Sequence, residues 1–349
     1  MDRDVDVVTW LPDDADRFDG YDESSARVRP PKRGSKPRTK NRPAHDDSIE
    51  ARVITVDRGR YLTLADEGTP EEREIITKRA RELSRTPIVT GDLVDIVGDT
   101  TGGDGTLARI VRVVPRTTVL RRSADDSDTV ERMIVANADR MLIVVAAANP
   151  EPRQRLVDRY MVAAFDAGIL PILCVTKTDL ADPTAFLTHF RGLDVPVVTS
   201  RSDAPPLAEL TELLVGHTTV AVGHSGVGKS TLVNALIPDA HRATGVVNDV
   251  TGRGRHTSSS TASFRFPGGG WLIDTPGVRS FGLGHVRPES VLAAFTDLAE
   301  IAEDCPRGCN HRDADCAMVE AVAAGDLGSE GAARLDSVQR LIQSLDSVA

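Results

Sequence analysis

Residues 218–231 read TTVAVGHSGVGKST, a short β-branched run that leads directly into a glycine-rich loop. The spacing of the loop is Gly-x4-Gly-Lys-Ser. In such loops glycine lets the backbone amides surround phosphates, the lysine reaches the β and γ phosphates, and the serine hydroxyl binds Mg²⁺. The run predicts a strand and STLVNALIP after it predicts a helix, so this stretch predicts a nucleotide site. The candidate ligands are Gly223, His224, Ser225, Gly226, Val227, Gly228, Lys229, Ser230 and Thr231.

The sequence around this loop alternates predicted strands and helices. RMLIVVAAAN at 140–149 is a continuous buried-strand pattern, and residues 151–168 repeat apolar side chains at helical spacing up to Gly168. Further strand patterns lie at 169–176, 195–200 and 218–223, with a helix pattern at 206–216. This alternation predicts a parallel sheet with helices on both faces. Cys174 lies inside one of these strands and is predicted to be a core residue.

A second motif, TKTD, is formed by Thr176, Lys177, Thr178 and Asp179. The carboxylate of Asp179 can accept hydrogen bonds from guanine N1–H and from the exocyclic amine, which adenine does not offer, and the Lys177 stem can lie over the base. Thr176 stands where asparagine is usual, which is expected to weaken one tethering contact. Without a phosphate loop, such a tetrapeptide would more often be a capped turn after a strand.

The third motif follows the strand-like GGWLI and reads DTPG at 274–277. An acid at this strand end can hold Mg²⁺ through water, and the Gly277 amide can contact the γ phosphate. A lone DxxG would be an ordinary turn, but its position after the phosphate loop favours a second switch for Asp274 and Gly277.

The order of the motifs is unusual, since the guanine tetrad precedes the phosphate loop. A parallel sheet keeps its strand positions if neighbouring termini are joined and the chain is opened elsewhere. The order therefore predicts a circularly permuted GTPase core.

Short β-branched runs before this core, at 49–66, 87–99 and 106–114, predict a small barrel. A five-stranded OB barrel fits the length, and an SH3-like barrel would give a similar pattern. EEREIITKRARELSR at 71–85 is compatible with a charged helical insertion, and SADDSDT at 123–129 is interpreted as a linker at the domain boundary.

Charge is unevenly distributed along a chain of net charge −10. Residues 1–26 carry nine acids against two arginines, whereas 27–42 carry eight Lys or Arg and no acid. This segment predicts disorder and reads either as a solubilising tail or as a basic arm for phosphates. No apolar run is long enough for a bilayer and the N-terminus lacks a signal pattern, so we expect a cytoplasmic protein with no membrane association.

The sequence CPRGCNHRDADC places Cys305, Cys309, His311 and Cys316 as C-x3-C-x-H-x4-C. Three thiolates and an imidazole complete a tetrahedral zinc shell without room for water, which predicts one structural Zn²⁺ per chain. The alternative is a set of reduced thiols in a helical tail. The remaining sequence to the end predicts helices.

This combination resembles the circularly permuted, ribosome small-subunit-dependent GTPase A (RsgA) family. The resemblance runs from about residue 48 to the end and rests on TKTD, GHSGVGKST, GRGRHTSSS, DTPGVRSFGL and the cysteine cluster. It implies an OB domain, a permuted GTPase core and a zinc domain, acting on the small ribosomal subunit and its rRNA during late assembly and leaving after GTP is hydrolysed to GDP.

The resemblance also assigns residue roles. His256 corresponds to the proposed catalytic histidine, and Val278 stands where Ras-like enzymes carry a water-orienting glutamine. Magnesium bound with GTP would be held by Ser230, Asp274 and a switch hydroxyl, Thr257 or Ser258.

We therefore predict an α/β fold in which a circularly permuted P-loop GTPase core follows an OB-type barrel and precedes a small helical zinc-binding domain, in a monomer. The expected domains are 1–47 (disordered extension), 48–120 (OB), 130–287 (GTPase) and 288–349 (zinc-binding). The alternative function is an OB and zinc RNA-binding module with a non-hydrolysing nucleotide site, and a third is an ATP-using P-loop enzyme, which Asp179 opposes.

Overall fold

The computed structural model describes residues 45–57, 59–83, 86–103, 105–123, 131–238, 261–275, 281 and 283–346. They belong to one compact unit that begins at His45. The predicted basic arm lies outside these residues, and so do the candidates His256, Thr257, Ser258, Gly277 and Val278. In the part of the chain that is described, no helix is both long and apolar enough to cross a membrane.

The first five strands close into a barrel. β1 pairs with both β2 and β4, β2 with β3, and β3 runs parallel to β5, which returns to β4. The closed order β1-β2-β3-β5-β4 confirms the OB barrel, and its interior is lined by fully buried Val53, Ile75, Val94, Ile96 and Ile110. The strands are β1 (Ile49–Asp57), β2 (Arg60–Ala65), β3 (Arg73–Arg79), β4 (Leu93–Val97) and β5 (Ala108–Val113).

The predicted helical insertion at 71–85 is wrong, because its central part is strand β3. Ile75 and Thr77 alternate into the barrel interior, and Thr63 on β2 donates a hydrogen bond to the Ile75 carbonyl at 2.9 Å. Among the described residues of this segment, only Arg81–Leu83 is helical, as a single 3-10 turn. The period-two burial of the isoleucine and threonine overrides the helix propensity of the charged residues between them.

A β-hairpin joins the barrel to the core. β6 (Val119–Ser123) pairs antiparallel with β7 (Glu131–Ala136). The predicted linker at 123–129 lies outside the described residues except for Ser123, which ends β6. Leu120 and Val135 are buried with the core beyond the hairpin, while Thr90 of the barrel bridges to Val135. The hairpin therefore contacts both neighbours.

The core sheet has the order β10-β9-β8-β11-β13-β12, parallel except for β12, which is antiparallel to β13. The phosphate loop follows β11 and the guanine tetrad follows β9, so both lie at the carboxyl edge of the sheet despite their reversed order in the chain. The strands are β8 (Arg140–Ala146), β9 (Leu170–Thr176), β10 (Val197–Thr199), β11 (Thr218–Gly223), β12 (Ala262–Arg265) and β13 (Trp271–Asp274).

Helices cover both faces of this sheet, as the alternation predicts. On one face α1 (Gln154–Asp166) buries Tyr160 and Met161 against the strands, with the predicted apolar face inward. On the other face α3 (Leu207–Leu214) and α4 (Lys229–Leu236) pack on alternate strand residues that include the buried Cys174. A short α2 (Thr184–Leu187) follows the guanine tetrad.

Four C-terminal helices pack on the α1 face: α5 (Pro288–Leu292), α6 (Thr296–Ala302), α7 (Ala317–Ala324) and α8 (Gly331–Asp346). α8 is fixed to α1 because Arg340 pairs with buried Asp158 at 3.3 Å and donates to the His189 carbonyl at 2.5 Å. A Cβ at Gly192 would lie 2.2 Å from the Ala333 carbonyl oxygen, so only glycine permits this approach of α8. The zinc-candidate region thus shares one apolar core with the GTPase sheet.

Candidate functional site

The phosphate loop takes its shape from two glycines in left-handed conformation. Gly226 has φ +81° and Gly228 has φ +92°, and α4 begins immediately after Gly228, at Lys229. Side chains rarely adopt these angles, so the loop needs glycine there. The loop amides and the first turn of α4 are therefore positioned to bind an anion.

Lys229 is the charged residue at the base of this loop. It is buried, and its ammonium forms an ion pair with Asp274, which ends the neighbouring parallel strand β13. Ser230 is exposed on the same helical turn. The hydroxyl of buried Thr275 donates to the Ala221 carbonyl at 2.7 Å and fixes the chain directly after Asp274. A cation and a carboxylate thus meet where phosphate and Mg²⁺ would bind.

The guanine tetrad is tied to the phosphate loop through Thr176. Its hydroxyl lies 2.5 Å from the Val227 carbonyl and 3.2 Å from the Val145 carbonyl. The smaller side chain that replaces asparagine thus still contacts the phosphate loop directly. Lys177 adds a second tie, since its ammonium donates to the Gly226 carbonyl at 2.8 Å and also to the Asn149 carbonyl. Base and phosphate elements therefore form one connected site.

Asp179 lies exposed at the end of this tetrad. Its Oδ1 accepts hydrogen bonds from the Ser202 amide at 2.8 Å and the Ser202 hydroxyl at 3.1 Å. The backbone amide of Ser202, followed by its hydroxyl and the nearby Arg201, holds the pKa of Asp179 below its usual range. The group is therefore a carboxylate at neutral pH and can only accept hydrogen bonds, which suits the two donors on guanine.

Sequence reasoning missed the segment that supports Asp179. Ser200 follows β10, its carbonyl accepts the Thr178 amide at 3.2 Å, and Ser202 makes the bonds just described. The available signal was positional, because β10 ends at the same sheet edge as β9 and is followed by the polar run SRSD. A polar turn of this kind after a strand has no distinctive spacing, so no motif marks it.

The predicted metal ligands come together at the other end of the chain. Ligand atoms of Cys305, Cys309, His311 and Cys316 all lie within 4.8 Å of one another. Cys305 Sγ is 3.7 Å from Cys316 Sγ and 3.8 Å from His311 Nδ1. Sulfur ligands about 2.3 Å from a tetrahedral Zn²⁺ would be separated by about 3.8 Å, so the donor set and its spacing fit zinc.

The cluster is built by a loop between two helices. α6 leads into Cys305, Cys316 precedes the first turn of α7, and α8 anchors the loop because Gln339 donates to the His311 carbonyl at 2.6 Å. Burial raises the pKa of the Cys316 thiol to about 11. Without metal the thiol is therefore protonated at neutral pH. Zinc binds the thiolate, so metal binding would release this proton.

Comparisons of sequence place these features in a known context. The sequence model of the RsgA GTPase family matches residues 113–284. A protein of Pseudomonas fluorescens (strain SBW25), named small ribosomal subunit biogenesis GTPase RsgA, is 40% identical over 267 residues, which cover 74% of this chain and 75% of the relative. The protein of the same name from Pseudomonas aeruginosa (strain LESB58) is 39% identical, with coverage of 74% and 76%.

Comparisons with solved structures support the same fold. YjeQ from Thermotoga maritima superposes with a TM-score of 0.63 at 24% identity, over 85% of this chain and 98% of that one, and supports the fold. YloQ, described as a circularly permuted GTPase, matches with a TM-score of 0.61 at 25% identity, over 88% of this chain and 98% of YloQ. The description of YloQ as circularly permuted agrees with the permuted core inferred from the reversed motif order.

Proposed function

Because the chain belongs to the RsgA GTPase family, we propose that it hydrolyses GTP to GDP and phosphate while bound to the small ribosomal subunit during subunit assembly. The observation that carries this proposal is the hydrogen bond from Thr176 to Val227, because it joins a guanine-reading loop to a phosphate loop in one site. In this proposal Asp179 reads the guanine edge. Lys229 and the loop amides bind the phosphates.

We assign magnesium to the carboxyl edge of β13. Ser230, Asp274 and the hydroxyl of Thr257 or Ser258 would hold it with GTP. A bound Mg²⁺ would neutralise charge on the β and γ phosphates. Lys229 would exchange its pairing with Asp274 for the phosphates, which leaves the Asp274 carboxylate to orient metal-bound water. The Gly277 amide is assigned to the γ phosphate.

The attacking water is assigned to His256. The support is chemical, since Val278 follows Gly277 and an aliphatic side chain cannot orient water, whereas an imidazole nitrogen can accept its proton or hydrogen bond. Without a water-orienting glutamine, hydrolysis by the isolated protein should be slow, on the order of 10⁻⁴ to 10⁻² s⁻¹.

The test is single-turnover GTP hydrolysis with and without purified small subunits. We expect subunits to raise the rate of the wild type about tenfold or more. His256→Ala should lose most of that rise and keep its GTP affinity, because the histidine would act on water and not on the base. His189→Ala is the matched control, since His189 is an exposed histidine in the 3-10 turn after α2, outside the nucleotide motifs, and its loss should leave the stimulation intact.

Two results would count against this proposal. Stimulation that survives in His256→Ala would remove that residue from the mechanism. No hydrolysis by wild type with any subunit preparation would favour the alternative, an OB and zinc RNA-binding module with a non-hydrolysing nucleotide site.

An rRNA partner is supported by the outer face of the barrel. Arg60 on β2 is the cross-strand partner of Lys78 on β3, and Lys78 is the partner of Arg109 on β5. All three are exposed, and Arg79 and Arg81 lie beside them. Like charges opposite one another destabilise a sheet. Such a row in a chain of net charge −10 is explained by an anionic partner such as the RNA backbone.

Replacing Lys78 and Arg109 together with alanine should weaken binding to small subunits and reduce the slope of log K against log salt by about 2, one for each lost phosphate contact. The melting temperature should stay equal or rise, since repulsion is removed. Arg112→Ala is the control, because this cation on the same strand is already paired with Asp95. An unchanged slope in the double variant would transfer the phosphate contacts to another surface, such as the arm at 27–42.

The same proposal divides the chain into an extension (1–47), an OB domain (48–120), the GTPase (130–287) and a zinc-binding domain (288–349). It places the protein in the cytoplasm as a monomer. Sedimentation of the purified protein with GDP tests the monomeric state.

A further inference from the structure

A buried tryptophan connects the barrel to the strand that carries Asp274. Trp271 is the first residue of β13 and Asp274 is the last. The Trp271 indole is 5% exposed, and its Nε1 donates a hydrogen bond to Glu67 Oε1 of the barrel at 2.7 Å. Ile54 and Leu64, also from the barrel, complete its apolar surroundings. The barrel therefore holds the beginning of the strand that ends in the proposed magnesium site.

Two arginines, one from the barrel and one from the core sheet, lie against this indole. The guanidinium of Arg52 on β1 lies 5.5 Å from the ring centroid and that of Arg265 on β12 lies 5.1 Å from it. Arg52 pairs with Glu67 at 2.8 Å, and Arg265 pairs with Glu72 of the barrel at 2.5 Å. We call these five residues the Trp271 cluster.

The charge of Glu67 is retained although it is half-buried. Burial alone would raise its pKa, but the hydrogen bond and charge of Arg52, with the bond from Trp271, hold the pKa below its usual range. Glu67 is thus a carboxylate at neutral pH. Ion pairs that are partly shielded from water lose less to screening than exposed ones do.

The backbone makes the same connection by a second route. Thr55 of β1 is the register partner of Ala262 on β12, and Ala262 is in turn the register partner of Asp274. The hydroxyls of Thr55 and Thr90 both donate to the Thr261 carbonyl, at 3.1 and 3.4 Å. Backbone pairing therefore connects β1 of the barrel, through β12, to Asp274 on β13. The cluster fixes the other end of the same strand pair, where Arg265 is opposite Trp271.

We propose that Arg52 and Glu67 of the Trp271 cluster are positioning residues for Asp274, so that the state of the barrel is coupled to magnesium and nucleotide binding. A partner that binds the barrel and shifts it would move β12 and β13 together, because the two strands are paired. The carboxylate at the end of β13 would move with them. Such coupling is reciprocal, so nucleotide bound with magnesium would alter the affinity of the barrel for its partner by the same factor. The inference rests on the proposed function for the identity of that partner and for the assignment of magnesium to Asp274.

The first test needs no ribosome. The affinity of the purified full-length protein for GDP is measured with and without Mg²⁺ for wild type, Arg52→Ala and Glu67→Gln. In both variants we expect the GDP affinity without metal to stay within twofold of wild type, because Lys229 and Asp179 are untouched. The magnesium concentration needed for half of the Mg²⁺ effect on GDP affinity, here called the magnesium requirement, should rise about fivefold. This factor is at the low end of typical coupling between sites. Arg52→Lys, which keeps the cation over the ring, should recover part of the loss.

Arg73→Ala is the matched control. Arg73 on β3 pairs with Asp66 at 2.5 Å, and it also donates hydrogen bonds to the carbonyls of Glu71 and Thr100 in the barrel, so its loss should leave the magnesium requirement unchanged. A wild-type magnesium requirement in Arg52→Ala and Glu67→Gln would overturn the proposal. So would an equal increase in Arg73→Ala, because the effect would then follow from barrel damage in general.

The second test uses small subunits. The ratio of subunit affinities with a non-hydrolysable GTP analogue and with GDP should shrink about fivefold in Arg52→Ala and stay unchanged in Arg73→Ala. If wild type does not bind small subunits with either nucleotide, the proposed function fails, and the magnesium measurement still decides the role of the cluster. An undiminished ratio in Arg52→Ala would refute the coupling with the function intact.

Discussion

Replacing Asp179 with asparagine is expected to lower GTP affinity by about a hundredfold to a thousandfold and to shift base preference toward xanthosine nucleotides. The carboxylate is exposed, ionised and oriented by Ser202, so it can accept from both guanine donors. Hydrogen bonds to a charged group are each worth about 1.5–3 kcal/mol, and about 1.4 kcal/mol is a factor of ten in affinity. The amide of asparagine would oppose a donor on guanine, and xanthine offers an acceptor there instead.

Competition titrations with GTP, XTP and ATP measure this change. Asp182→Asn is the control, because Asp182 is an exposed acid three residues along the same loop that caps Thr184 and has no role in the base site. Full GTP affinity in Asp179→Asn would contradict the assignment. ATP binding as tight as GTP binding in wild type would contradict it as well.

Loss of a zinc ligand should have the second large effect. Cys309→Ser is expected to reduce the zinc content from one ion per chain to well below one and to melt the segment from α6 to α7. Structural zinc in small domains contributes about 10 kcal/mol or more to folding, and this loop has few buried apolar side chains of its own. GTP binding should change little, because the phosphate loop and α4 pack on the opposite face of the sheet.

Metal analysis, hydrogen exchange and GDP titration measure the three parts of this expectation. Cys174→Ala serves as control, since it removes a cysteine from the core of the GTPase sheet and leaves the cluster complete. A wild-type protein that is well folded without any metal would refute the zinc assignment. Unchanged exchange between α6 and α7 in Cys309→Ser would show that zinc is not what folds this segment.

The sequence predicted those strands and helices whose pattern of apolar residues lies within one short segment. The helical face around Tyr160 and Met161 and the strand before the phosphate loop follow from spacing within a few residues of each other. Strand β3 was misread because its charged residues favour a helix. What decides it is pairing with β2 and β5, and β5 lies about 30 residues further along the chain. Pairing of this kind is not visible in a short window of sequence.

The difference between local patterns and long-range pairing also separates the site residues that sequence predicts from those that it does not. Lys229 and Asp179 belong to motifs in which one short segment carries the chemistry, so sequence identified them. Ser202 supports Asp179 from a different strand, and the Trp271 cluster collects residues from the barrel and from the far end of the core. Neither has a characteristic spacing, because their proximity arises only when the strands assemble.

The continuous eleven-stranded sheet also bears on self-association. At one end the barrel closes on itself through β1 and β4, so none of the described strands is left unpaired there. At the other end the sheet finishes with β10, which is only three residues long. Exposed strand edges are templates for intermolecular pairing and amyloid-like growth, and short edge strands limit this hazard. In the described part of the chain, the large sheet therefore ends in a strand that offers few backbone groups for pairing with a second molecule.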